Sequence, residues 1–180
     1  MIISIKEILD RELVKRRDFG GGEGPVEPEG AAVDVRLGEI WRVVAGSKGF
    51  LKIKTRETRK YELVSKYKPG HSTTFTLEPM VYYQFKSVEI IDVPMDVVAR
   101  FCARFNLLVN GILICAYKAD PGFKGEFVVP IINLSGVPFE IEMGSRWGQF
   151  EFHRIDGEAV KYRGQWRNGR VYTKKEEDQV

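Results

Sequence analysis

Residues 116–133, AYKADPGFKGEFVVPIIN, constrain the fold of this chain more than any other stretch. An apolar run at 111–116 leads in and a second, at 127–132, leads out. Between them, Asp120-Pro121-Gly122-Phe123 has the chemistry of a type II turn. Proline presets φ at the second position, glycine supplies a positive φ at the third, and an aspartate at the first accepts hydrogen bonds. The expectation is a β-hairpin that holds a carboxylate at the root of its tip. From the turn alone Asp120 has two readings, a turn cap or a group that carries chemistry.

A chain of 180 residues is long enough to bury a real core as one domain, expected to span 1–180. Hydrophobic residues make up 43% and aromatics 12%, which argues for a globular fold and against disorder. The 28 basic and 25 acidic residues leave a net charge of +3. That balance lacks the broad basic excess of a nucleic-acid-binding domain. Cys102 and Cys115 sit inside apolar runs, so buried free thiols are expected rather than a disulfide. The opening MIISIKEILDRELVKRR turns charged too soon for a signal sequence. No stretch approaches the roughly 20 apolar residues of a membrane-spanning helix. A soluble, cytoplasmic protein with no membrane partner is the expectation.

Ser4-Ile5-Lys6-Glu7 is a capping box, and Ile5, Ile8, Leu9 and Leu13 follow at helical spacing. A short helix is expected within residues 1–17. Residues 18–30, DFGGGEGPVEPEG, read as a loop. Its glycines lack the spacing of a phosphate cradle, and it is acidic. From residue 31 to 158 the signal is β throughout. Short strands are expected at 32–37 and 39–44 around a turn at Gly38, then at 50–54, 73–77, 81–85, 87–93 and 97–105. Others follow at 111–116, 127–132, 139–143 and 147–153. Short strands with turn residues between them indicate an all-β barrel or sandwich. Pro130 interrupts an apolar strand pattern, which puts that strand at an edge or a bulge.

Residues 159–180 form a basic tail. Within 159–170, Lys161, Arg163, Arg167 and Arg170 alternate with Tyr162 and Trp166. Such a segment can close over a polyanion, with charge for phosphates and a ring for a base. An ordinary basic surface strand would read the same way. Residues 173–180, TKKEEDQV, read as a solvated end.

Several of these stretches, in order along almost the whole chain, resemble the dCTP deaminase and trimeric dUTPase superfamily. Ala32-Val33-Asp34-Val35-Arg36-Leu37-Gly38 is similar to its VDLRLG motif. Phe75-Thr76-Leu77-Glu78-Pro79 and Pro94-Met95-Asp96-Val97-Val98-Ala99-Arg100 follow the pattern that leads to its second motif. Ala119-Asp120-Pro121-Gly122-Phe123-Lys124-Gly125 resembles IDPGWxG. Asn133 and the GSRWGQFEF run at 144–152 resemble the strand end and the GxxIGQLxF motif. Lys161-Tyr162-Arg163-Gly164-Gln165 resembles the KYRxQ of the deaminase tail, so the likeness leans to that branch. The resemblance implies a distorted β-barrel or jelly roll, of the dUTPase-like β-clip type, that forms a homotrimer with sites at subunit interfaces. It also implies a deoxynucleoside triphosphate whose Mg2+ is carried mainly by its phosphates. In this reading Asp120 is the catalytic carboxylate. Arg104, Asn106, Phe123, Gln149, Lys161, Arg163 and Gln165 bind substrate, and Asp34 reaches the metal through water.

The chain also departs from the pattern. Arg104-Phe105-Asn106 stands where the family has Arg-Ser-Ser, so a ring replaces a hydroxyl. Pro130 stands where a deaminase has its catalytic glutamate. Deamination needs a group that activates water and protonates the leaving amine, and proline can do neither. A zinc route lacks its HxE and PCxxC signature. Tyr117 occupies a place usually held by a small residue. The function expected is therefore binding of a pyrimidine deoxynucleoside triphosphate, with dUTP hydrolysis the chemistry if the protein is an enzyme. The alternatives are a catalytically silent paralogue that senses nucleotide or serves as a structural trimer, and a single-stranded nucleic-acid binder acting through the tail.

Overall fold

A computed structural model of the chain describes residues 1–15, 28 and 30–179. The loop expected at 18–30 lies outside the described residues, apart from Pro28 and Gly30. The first elements are α1 (Ile5–Asp10), β1 (Val14–Lys15), β2 (Val33–Val43), β3 (Phe50–Leu51), β4 (Thr55–Glu57) and β5 (Tyr61–Lys66). There follow β6 (Thr74–Leu77), β7 (Tyr82–Asp92), β8 (Val97–Ala103), α2 (Phe105–Val109), β9 (Ile112–Ile114) and β10 (Lys118–Ala119). The chain ends with β11 (Lys124–Asn133), β12 (Phe139–Glu142), β13 (Arg146–Arg154) and β14 (Glu177–Asp178).

The protein is mainly β. A nine-stranded sheet runs β10-β8-β13-β2-β7-β11-β9, with β1 also on β7 and β5 also on β2, and it curls into a half-barrel. Two smaller sheets, β12-β6 and β14-β4-β3, stand apart from it. Inside the curl, Phe101 meets Trp147 at 4.7 Å between ring centroids, and Phe127 meets Phe150 at 4.9 Å. All four rings are buried. Burying each such side chain stabilises the fold by about 1.5–3 kcal/mol. Gly148 belongs to this packing, since a Cβ there would lie 2.1 Å from the Phe101 ring.

β2 crosses the centre of the sheet, and its first eight residues are all buried. Three of them are charged, and each has partners. Arg36 donates from Nε and from its backbone N–H to Glu89, both at 2.8 Å. Glu39 pairs with Lys86 at 2.8 Å and Lys66 at 3.0 Å. Asp34 holds Arg104 and Arg146. A charge leaves water at such a site only when it is paired in this way.

Some boundaries differ from the sequence reading. The two strands expected around Gly38 are one strand, because Gly38 is a bulge rather than a turn. The pairing with β7 slips between Leu37 and Glu39, and a Cβ at Gly38 would sit 2.9 Å from the Ser87 carbonyl. The strands expected at 81–85 and 87–93 likewise fuse into β7. The strand expected to run to Phe105 stops at Ala103, and residues 105–109 form α2 instead. β5 was not foreseen. Cys102 is half-buried and Cys115 exposed, both as free thiols, so Cys115 is not the buried thiol expected. Ser4 Oγ caps α1 by accepting from the Glu7 N–H at 3.2 Å, while the Glu7 carboxylate binds Arg11 and Arg154, each at closest 2.8–2.9 Å. No helix among the described residues is long and apolar enough to cross a membrane.

Candidate active site

The turn forms as its residues dictate. Phe123 N–H donates to the Asp120 carbonyl at 2.9 Å, and Gly122 takes φ +81°. The hairpin around it is paired only at its base. β9 aligns with β11 from Ile112–Asn133 to Ile114–Ile131, and the last rung is Cys115 N–H to the Pro130 carbonyl at 3.0 Å. Beyond that rung the arms separate. β10 leaves to pair with β8, while β11 continues along β7.

Pro130 belongs at this point of separation. Its carbonyl faces Cys115, so its ring nitrogen faces the same flank, where β9 has ended and no donor is required. The strand itself is not at an edge, since β11 pairs with both β7 and β9. Its bulge lies between Glu126 and Val128.

Between the parted arms lies a cavity of about 420 Å³. Asp120, Phe123, Glu126, Phe127 and Pro130 line it from the hairpin, and Tyr61 and Gln84 line it from the sheet. Asp120 Oδ1 is 2.7 Å from Lys118 Nζ. Tyr117 stacks on Phe127 at 4.5 Å and donates its hydroxyl to the Val128 carbonyl, which ties the arms together again. Burial, with the Tyr162 phenol nearby, pushes the Tyr117 phenol well above the usual tyrosine range. It stays neutral and remains a donor.

The tail forms the remaining wall through Tyr162, Trp166, Arg170 and Val171. Tyr162 N–H donates to the Pro121 carbonyl at 2.7 Å, and the Lys161 stem lies over Gly122, where a Cβ would come within 2.7 Å of it. Trp166 packs against the guanidinium groups of Arg56 and Arg170, at 5.1 and 5.4 Å. Glu177 binds both arginines, and the Gln165 amide sits among the same three side chains. The chain end is docked rather than solvated. Thr58 and Thr173 exchange hydrogen bonds at 2.9 and 2.8 Å, and β14 pairs with β4.

A second cavity, of about 320 Å³, is lined by Gly30, Asp34, Ala103, Arg104, Phe105, Asn106 and Gln149. Arg104 Nη1 reaches both Asp34 oxygens at 2.6–2.7 Å, and Arg146 Nη1 reaches Oδ2 at 3.2 Å. Phe105 stands exposed at its rim.

The structure thus gathers Asp34, Arg104, Asn106 and Gln149 in one cavity and Asp120 and Phe123 in the other. Lys161 contacts the turn, Gln165 is held by the arginine–glutamate cluster, and Arg163 is exposed. None of these three lines either cavity. The sequence reading missed Lys118 and Arg146. Lys118 lies two residues before Asp120, a spacing that puts two side chains of an extended chain on one face. Arg146 lies inside the GSRWGQ stretch already singled out.

A sequence model of the dCTP deaminase-like family matches residues 3–155. The chain belongs to that family. A dUMP-forming dCTP deaminase of Nocardia farcinica is 28% identical over 160 residues, 84% of this chain and 78% of that one. A probable deoxyuridine 5'-triphosphate nucleotidohydrolase of Methanopyrus kandleri is 28% identical over 136 residues, 76% of this chain and 84% of that one. Among solved structures, the 2'-deoxycytidine 5'-triphosphate deaminase of Agrobacterium tumefaciens superposes with a TM-score of 0.61 at 17% identity. The match covers 86% of this chain and 48% of that one, so the chain spans about half its length. The dUTPase of Staphylococcus bacteriophage 80alpha, solved as a G164S mutant with dUpNHpp, gives 0.50 at 16% identity, covering 83% and 85%. Both likenesses concern the fold. This dCTP deaminase-like chain therefore carries the family's fold with an aromatic cavity that holds a carboxylate and a polar cavity that holds a paired arginine.

Proposed function

We propose that this dCTP deaminase-like protein binds a pyrimidine deoxynucleoside triphosphate between copies of a homotrimer and hydrolyses dUTP to dUMP and pyrophosphate. The observation that carries the reading is the division of labour between the cavities. The hairpin cavity supplies rings for a base and Asp120 for a water; the other supplies Arg104, Asn106 and Gln149 for phosphate oxygens. The two have no lining residue in common, and in the proposed trimer a nucleotide would reach the hairpin set of one chain and the arginine set of another. An exposed apolar face that includes Phe105, Leu108, Val109 and Leu113 offers the surface for that association.

Asp120 is suited to orienting a water for attack on the α-phosphorus, with pyrophosphate leaving. Its direction is set by the Pro121–Gly122 turn and by Lys118. Arg104 enters pre-oriented by Asp34, so little of its side-chain freedom remains to be lost on binding phosphate. Both Asp34 oxygens are occupied by guanidinium groups, which fits a contact with the nucleotide's Mg2+ through water only. That ion, carried by the phosphates, would neutralise developing charge. Relatives named as a dUMP-forming deaminase and a dUTP nucleotidohydrolase support the substrate class. Pro130 lining the cavity supports hydrolysis over deamination, because it offers no proton acceptor.

A second reading, a silent nucleotide sensor, is favoured by the contact that Lys118 makes with Asp120. Incubation with each deoxynucleoside triphosphate and Mg2+, with the products resolved, separates the two. The expected result is dUMP and pyrophosphate from dUTP, with dCTP unchanged. Saturable dUTP binding without product would establish the sensor, and ammonia from dCTP would overturn both.

A further inference from the structure

The segment from Lys48 to Lys60 holds six of the chain's 28 cations and a single acid, Glu57. Its core is the two-stranded ribbon of β3 and β4, closed by a hydrogen bond from Lys52 N–H to the Thr55 carbonyl at 2.9 Å. The ribbon stands outside the nine-stranded sheet and is joined by β14 along its other edge. Arg56 is taken up by Glu177. The remaining five, Lys48, Lys52, Lys54, Arg59 and Lys60, are exposed and have no carboxylate partner among the described residues. Elsewhere a carboxylate partner is commoner, as for Lys6, Arg11, Arg36, Lys86, Lys124 and Arg154, although Lys68, Lys161, Arg163 and Arg167 have none among the described residues. Lys174 and Lys175, also exposed, lie between the Thr58–Thr173 contact and β14 on the ribbon's flank, beside the exposed acids Glu176 and Asp178. The balanced charge of the whole chain thus hides a local cluster within residues 48–60.

The tip is shaped as well as charged. Ile53 is 97% exposed between Lys52 and Lys54, and Leu51 is 75% exposed. We propose that this ribbon is a docking arm for duplex nucleic acid, bound through its phosphates without regard to sequence. Lysines on both sides of the tip would meet the phosphates, and an aliphatic tip can contact base edges or wedge at a base step. The ring on the arm, Phe50, is capped by Lys52 Nζ at 4.4 Å, and Trp166 is enclosed by Arg56 and Arg170. Neither is a platform for the stacked bases of a single strand. An anionic bilayer would ask for a larger apolar face than two side chains. The arm is separate from both cavities, so this inference does not rest on the nucleotide chemistry proposed above.

The test is fluorescence anisotropy of a short random-sequence DNA duplex titrated with the full chain between about 50 and 200 mM salt. Log affinity should fall linearly with log salt at a slope of about −4 to −6, one increment of about 0.9 per phosphate contacted. A variant carrying Lys48→Gln, Lys52→Gln, Lys54→Gln, Arg59→Gln and Lys60→Gln should lose most of that slope, with its melting temperature and any dUTP binding kept. Ile53→Ser should weaken binding several-fold and leave the slope in place. Absence of duplex binding at the lowest salt would overturn the proposal. So would an unchanged slope in the five-fold variant, or capture of phosphatidylserine vesicles by a protein that ignores the duplex.

Discussion

Glu89 shows how much the fold depends on single buried groups. Its carboxylate is nearly inaccessible and receives both the Arg36 guanidinium and the Arg36 backbone N–H. Removing one partner of a buried pair leaves a charge without compensation, at a cost of about 3–5 kcal/mol. Glu89→Ala should therefore lower stability by that amount in urea unfolding, whereas Glu62→Ala, at an exposed pair with Arg42, should shift it by less than about 1 kcal/mol. Equal effects would show that burial does not decide the energetics here. Single residues also mark the limit of sequence reading. Asp120, Pro121 and Gly122 were legible because a type II turn is a local property of four residues. Lys118 beside Asp120 and Arg146 on Asp34 were not, since the first depends on how the hairpin opens and the second joins residues 112 positions apart.

Among the elements, the strands with strong apolar alternation were placed well, and errors fell where tertiary contacts override local signals. Glycine at 38 reads as a turn, yet in β2 it is the bulge that lets β7 approach. Residues 105–109, FNLLV, carry no side-chain helix cap; the strand was expected to run to Phe105, but the chain turns into α2 as it leaves β8. The tail is the largest departure. Residues 173–180 read as a solvated end, whereas Thr173 is buried and β14 extends a sheet. Deletion after residue 158 should thus do two things. It should abolish the hairpin-cavity wall, weakening dUTP binding at least tenfold in calorimetry. It should also uncover Tyr61 and Thr58 and lower the melting temperature by several degrees. A truncated protein that binds dUTP as well as the full chain would show that Trp166 and Tyr162 take no part in the site.

At the scale of the whole molecule, the proposed function makes the exposed apolar face the surface through which a subunit completes its site with a copy of itself. A closed assembly would cover Phe105, Leu108 and Val109 and bring Arg104 of one copy towards Asp120 of another. The most direct measurement is pyrophosphate release from dUTP by wild type, by Asp120→Asn, by Arg104→Gln, and by the two variants co-expressed. Removing a positioned base lowers turnover by about 10²–10⁴-fold, so Asp120→Asn alone should be nearly silent, and Arg104→Gln, which removes the charged partner of the phosphates, should be strongly impaired as well. In mixed assemblies about a quarter of the interfaces pair an intact Asp120 with an intact Arg104, and activity should return to about that fraction of wild type. Silence of the mixture beside an active wild type would place both residues in one chain's site, and an Asp120→Asn variant as fast as wild type would reduce Asp120 to the cap of its turn.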